Sequence, residues 1–104
     1  MFSFNLEKIN ALAKSICEEF ATGFPPEMQA EESPRAKRKL ASALNGVDQS
    51  VSRFLATKPR IGVFQKAKCA NEIKWDLKKR GYQQDLVAAV VRNVVFGLSL
   101  KSRK

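Results

Sequence analysis

Three observations predict an all-α fold, a compact bundle of four helices around one core. Apolar residues recur at three- and four-residue spacing in four separate stretches. Each stretch is bounded by proline, glycine or a capping residue. Apolar residues make up 44% of the 104, an ordinary globular content in a chain of one-domain length. Residues 1–100 are therefore expected to form a single helical domain, and 101–104 a basic, disordered tail.

The first helix is predicted from Asn5 to Ala21, with Asn5 as its N-cap and Glu7 in the first turn. Leu6, Ile9, Leu12, Ala13, Ile16, Cys17 and Phe20 share one face. Gly23-Phe24-Pro25-Pro26 ends it, and the acidic stretch Glu27–Ser33 reads as a loop. Ser33 can cap a second helix, with Pro34 at its first position, where the missing N–H costs nothing. Ala36, Leu40, Ala43, Leu44, Val47, Val51, Phe54 and Leu55 then make an apolar stripe of about five turns. Lys58-Pro59-Arg60-Ile61-Gly62 interrupts it.

A third helix is predicted from Val63 to Arg80, stopped by Gly81. A fourth runs from Gln84 to Leu98 with Asp85 in its first turn. Leu86, Val87, Val90, Val91, Val94, Val95 and Leu98 cover a wide arc, so this helix is either buried on most sides or paired with another chain. A homodimer contact would use Val87, Val91, Val94 and Val95. The valine run also admits a strand over 86–98.

Several function classes are disfavoured. The chain has no histidine, and so lacks the usual neutral-pH base and the commonest metal ligand. Its two cysteines, Cys17 and Cys69, cannot supply a four-thiolate zinc site and form no C-x-x-C pair. Each lies on an apolar face, as a buried free thiol would, and that usage fits a reducing cytoplasm. Glu18-Glu19 and Glu31-Glu32 are adjacent, which points their carboxylates apart on a helix. Glu72 and Asp76 sit among lysines as helix-surface ion-pair partners. No phosphate-binding glycine motif occurs, and no apolar run approaches the ~20 residues of an integral membrane span. The expectation is a non-enzymatic protein with no metal and no cofactor.

Charge is the feature that points to a partner. The net charge is +9, from 19 Lys plus Arg against 10 Asp plus Glu. Residues 1–34 hold six acids and two bases, a net −4; residues 35–104 hold 17 bases and four acids, a net +13. A field of that sign attracts nucleic acid, anionic membrane or acidic proteins, and does not choose among them. In the third helix Cys69, Ala70, Ile73 and Leu77 form the apolar face, with Val63 and Ala67 at its margin. Phe64, Lys68, Asn71, Trp75, Lys78 and Lys79 fall opposite, and Arg80 follows. Aromatic rings can stack on bases while lysines engage phosphates. The competing reading makes Phe64 and Trp75 core residues of a helix packed on two sides. Arg35, Lys37, Arg38 and Lys39 form a second basic cluster where cations oppose the helix dipole, and Arg60 lies in the turn between helices two and three.

Two resemblances accompany this pattern. Ile9, Leu12-Ala13, Phe24-Pro25-Pro26, Lys39-Leu40, Leu44 and Val51-Ser52-Arg53-Phe54 resemble the N-terminal half of small bacterial accessory proteins of ubiquinone biosynthesis, also described as membrane-fusogenic. Those proteins continue into a coiled coil, whereas here Pro59 and Gly62 intervene and no heptad run follows. Lys74-Trp75-Asp76-Leu77-Lys78-Lys79-Arg80-Gly81-Tyr82, with Leu86 and Val90, is similar to one unit of RecX-type recombinase regulators: a basic helix, a glycine turn and a second helix. The expected function is a small basic nucleic-acid-binding or nucleoprotein-regulating domain, through Arg35, Lys37, Arg38, Lys39, Arg60, Phe64, Lys68, Trp75, Lys78, Lys79 and Arg80. The alternative is a protein-interaction module, a dimer or adaptor, that uses the valine-rich last helix and offers its basic face to an acidic partner.

Overall fold

The helical periodicities become four helices in a computed structural model, which describes the backbone of residues 2–57 and 61–101 and the side chains of 7–57 and 61–99. The helices are α1 (Phe2–Gly23), α2 (Pro34–Thr57), α3 (Val63–Arg80) and α4 (Gln84–Lys101). Among the described residues there is no strand, so the valine run of 86–98 is helical. Each helix lays an apolar stripe into one shared core. Ile9, Ile16 and Phe20 come from α1; Val47 and Val51 from α2; Ile73 and Leu77 from α3; Val90, Val94 and Leu98 from α4. Leu40, Leu44 and Phe54 of α2 are partly buried at the core's edge, not inside it.

The ends follow local chemistry, with three differences from expectation. α1 spans Phe2–Gly23, longer at both ends than the expected Asn5–Ala21, so Asn5 lies within the helix and does not cap it. The stretch after Pro25 is not wholly irregular, because Pro26–Ala30 forms a 3₁₀ turn with Glu27 in its first turn. α4 extends to Lys101; of the tail expected at 101–104, the remaining residues lie outside the described ones. The other boundaries hold. Ser33 Oγ accepts from the Ala36 N–H at 3.1 Å, capping α2. The Gly62 N–H donates to Gln65 Oε1 at 3.0 Å at the start of α3. Gly81 ends α3 at φ +104°, a left-handed backbone that favours glycine, and the Tyr82 N–H reaches back to the Leu77 carbonyl at 3.2 Å.

α1 packs on α2 and α3, and α4 packs on the same two helices, so α2 and α3 occupy opposite corners. A methyl group at Gly23 would come 3.3 Å from Ala43 Cβ, and this is where α1 and α2 approach closely. At one end of the bundle the two turns are tied together. The buried Tyr82 hydroxyl donates to the Phe24 carbonyl at 2.5 Å, and its ring packs 5.3 Å from that of Phe20. Gln29 donates from Nε2 to the Gly81 carbonyl at 3.1 Å and accepts the Gln83 N–H on Oε1 at 2.5 Å. These bonds fix where α3 stops and α4 starts, and so set the surface the two helices share.

Candidate functional site

Three sides of α3 have different fates. Cys69, Ile73 and Leu77 are buried in the core. The side toward α1 is also closed. There the Cys17 thiol donates to the Ile73 carbonyl at 3.8 Å, and Asp76 accepts from Arg80 Nε at 2.7 Å. Burial, with the Asp76 carboxylate adding to it, pushes the Cys17 thiol up to about 12. Burial, with Glu72 adding, does the same to Cys69. Both are free core thiols that burial keeps in the protonated form near neutral pH. The hydrogen bond from Arg80 to Asp76 raises the guanidinium further above its already high value.

The third side carries large apolar surface into solvent. Phe64 is 73% exposed and Trp75 is 54% exposed, which excludes the core reading of both rings. Val63, expected at the margin of the apolar face, is 81% exposed. Phe64 and Trp75 lie 11 residues apart on the same face, about 16 Å along the helix at 1.5 Å per residue. Lys74 Nζ and Lys78 Nζ stand 5.5 Å and 5.3 Å from the Trp75 ring centroid, at cation–π range. Both ammonium groups lie over the ring, which is still 54% exposed.

Toward α4 the exposed side runs into an open groove of about 570 Å³. Lys74 and Lys78 form its α3 wall; Val91, Arg92, Val95 and Phe96 are among its α4 lining, and Phe96 is 63% exposed. Lys74, Arg92 and Phe96 were not among the residues expected from the sequence. Two signals pointed to them: the excess width of the apolar arc on the last helix, and the position of Lys74 next to Trp75.

The structure divides the remaining predicted residues. Arg35, Lys37, Arg38 and Lys39 are all exposed on α2, at the corner opposite α3, so the two basic clusters do not form one patch. Arg35 is tied to Glu31 at 3.7 Å, Lys68 to Glu72 at 3.1 Å and Arg80 to Asp76. Among the described residues no carboxylate pairs with Lys74, Lys78, Lys79 or Arg92. Arg60 lies outside the described residues. Val87 and Val94 are buried in the core and are not free for a dimer contact; Val91 and Val95 are partly exposed and line the groove. The wide arc of α4 thus has two uses, one inside the bundle and one on its surface.

Among the described residues no group of three His, Cys, Asp or Glu could hold a metal ion, and no helix is long and apolar enough to cross a membrane. Compared with known proteins, the chain matches no family model, no curated protein and no solved structure.

Proposed function

We propose that this chain is a small, basic, non-enzymatic domain that binds nucleic acid through the outer face of α3, with unpaired bases as its preferred target. The observation that carries this reading is Trp75, a large ring more than half exposed beneath two lysines that no carboxylate among the described residues engages. Leaving a tryptophan open to water forgoes hydrophobic stabilisation. Such a ring can stack on a base once Lys74 and Lys78 turn from it to join Lys79 at the flanking phosphates. Phe64 offers a second platform three turns away. Lys37, Arg38 and Lys39 on the opposite corner give a separate electrostatic contact for a longer strand. Stacking needs an unpaired base, so single strands are favoured over duplex. The working compartment is the reducing cytoplasm, where Cys17 and Cys69 remain thiols.

A titration of the full chain against single-stranded and duplex oligonucleotides at several salt concentrations tests this. With four to six phosphates engaged, the log–log salt slope for a single strand is expected at about −3 to −4. Trp75 emission, from the only tryptophan, should be quenched on binding. A flat salt dependence, or no binding at about 50 mM salt, refutes the reading.

A further inference from the structure

The groove between α3 and α4 has a chemistry of its own. Its α4 side presents Ala88, Val91 and Val95, at the three- and four-residue spacing of a helix ridge, partly open to solvent. Its charged lining is wholly cationic: Lys74 and Lys78 on one wall and Arg92 on the other. None of the three is neutralised by a carboxylate among the described residues, whereas Lys68 and Arg80 of the same α3 are. The lining runs from Gln84 to Ser99, 16 residues spanning about 22 Å of helix, four turns.

The geometry points to a docking site for an acidic amphipathic helix from a partner protein. Apolar side chains spaced along that helix would seat between α3 and α4, ridge into groove. Glutamates or aspartates on its flanks would meet Lys74, Lys78 and Arg92. Ala88, Val91 and Val95 give a helix the apolar seat it needs, whereas the lining offers a nucleic acid a single ring, Phe96. Among the described residues, α1 of a second copy offers no such insert. The acidic residues Glu18 and Glu19 flank an α1 stripe, Ile16, Cys17 and Phe20, that is itself buried in the core. This inference is independent of the nucleic-acid reading, although Lys74 and Lys78 serve both sites and their ligands should compete.

The probe is a synthetic 16-residue helical peptide with leucines on one face and glutamates on its flanks, added to the full chain and followed by fluorescence anisotropy. It should bind about tenfold or more tighter than a scrambled peptide of the same composition. Ala88→Gln, at an exposed helical position, and Arg92→Glu should each weaken it about tenfold, while Lys39→Glu at the opposite corner leaves it unchanged. Circular dichroism of each variant confirms that the bundle remains folded. Equal affinity for the scrambled peptide, or for one with lysines in place of glutamates, overturns the assignment. So does self-association, or binding to phosphatidylglycerol vesicles, that Ala88→Gln abolishes. A chain that binds oligonucleotide but not the peptide overturns the groove and leaves the proposed function standing. A chain that binds the peptide but no oligonucleotide supports the groove and refutes the function.

Discussion

The two flanks of α3 are built from similar residues and end differently. Toward α1, apolar side chains are enclosed, Arg80 is bonded to Asp76, and the Cys17 thiol meets the Ile73 carbonyl. Toward α4 and solvent, Phe64, Trp75 and Phe96 stay open, and Lys74, Lys78 and Arg92 have no carboxylate among the described residues. The first flank satisfies itself; the second leaves apolar rings and cations open to solvent. On the proposed function, stability and binding reside on different sides of one helix and should be separately alterable.

The sharpest test of that division is in the core. Leu77 is fully buried, two residues from the exposed Trp75. Leu77→Ala is expected to cost about 2–5 kcal/mol in chemical denaturation, the transfer of the side chain plus the cavity left behind. Binding to oligonucleotide, measured where the variant is still folded, should change little. Comparable losses of stability and affinity would mean that the two flanks are coupled.

A second effect belongs to the closed flank alone. In the unfolded chain the Cys17 and Cys69 thiols titrate near 9 and the Tyr82 phenol near 10; in the fold burial holds all three up to about 12. The unfolded chain gives up protons that the fold retains. The stability these groups contribute is thus complete below pH 9 and is lost as pH rises toward 12. By pH 10 the loss should reach about 3 kcal/mol, most of it from the two thiols. Urea midpoints at pH 8, 9 and 10 measure it. A Cys17→Ala, Cys69→Ala double variant should be less stable at pH 8 and flatter over this range. A wild-type profile that is itself flat would show that the α1 flank admits water.

Much of this division was legible in the sequence, because helices are specified locally. The stripe from Ile9 to Phe20, the cap at Ser33 and the stop at Gly81 depend on residues within a turn or two of one another. The ion pairs of Glu72 and Asp76 likewise follow from four-residue spacing. What was not legible depends on which helices become neighbours. The sequence alone does not place α2 and α3 at opposite corners, so it leaves open how the two basic clusters lie relative to each other. It also does not divide the valines of α4 between core and groove, because all lie on a single wide arc. The exposure of Trp75 was undecided for the same reason: a helix with one neighbour on each flank can still leave a third side bare. The start of α1 and the 3₁₀ turn at Pro26–Ala30 were missed at boundaries, where capping signals compete.

Trp75 itself sharpens the open flank. Trp75→Ala should weaken binding to single strands by about tenfold or more, since a stacked base contributes about 1–3 kcal/mol. The change in stability should be smaller than for Leu77→Ala, because half of the ring is already in water. Emission of the free protein should be red-shifted, as expected for a solvated indole. Blue-shifted emission that oligonucleotide does not quench would exclude stacking and leave only the lysines to bind phosphate.

The smallest effect separates paired from unpaired cations on one face. Lys68 lies 3.1 Å from Glu72, and Lys78 faces no carboxylate among the described residues. A lysine that meets a phosphate releases condensed counterions and adds about 0.7 to the magnitude of a single-strand salt slope. A lysine held by Glu72 contributes less, because the carboxylate already offsets its charge and repels the phosphate. Lys78→Gln should therefore reduce the slope by about 0.7, and Lys68→Gln should leave it nearly unchanged. Glu72→Gln makes the complementary case. It frees Lys68 and should steepen the slope by up to about 0.7, with at most about 1 kcal/mol lost from the fold, since a surface pair of this kind contributes little stability. If Lys68→Gln and Lys78→Gln flatten the slope equally, pairing does not withhold charge from the ligand. The contrast drawn between the two kinds of cation would then fail, and net charge alone would govern binding.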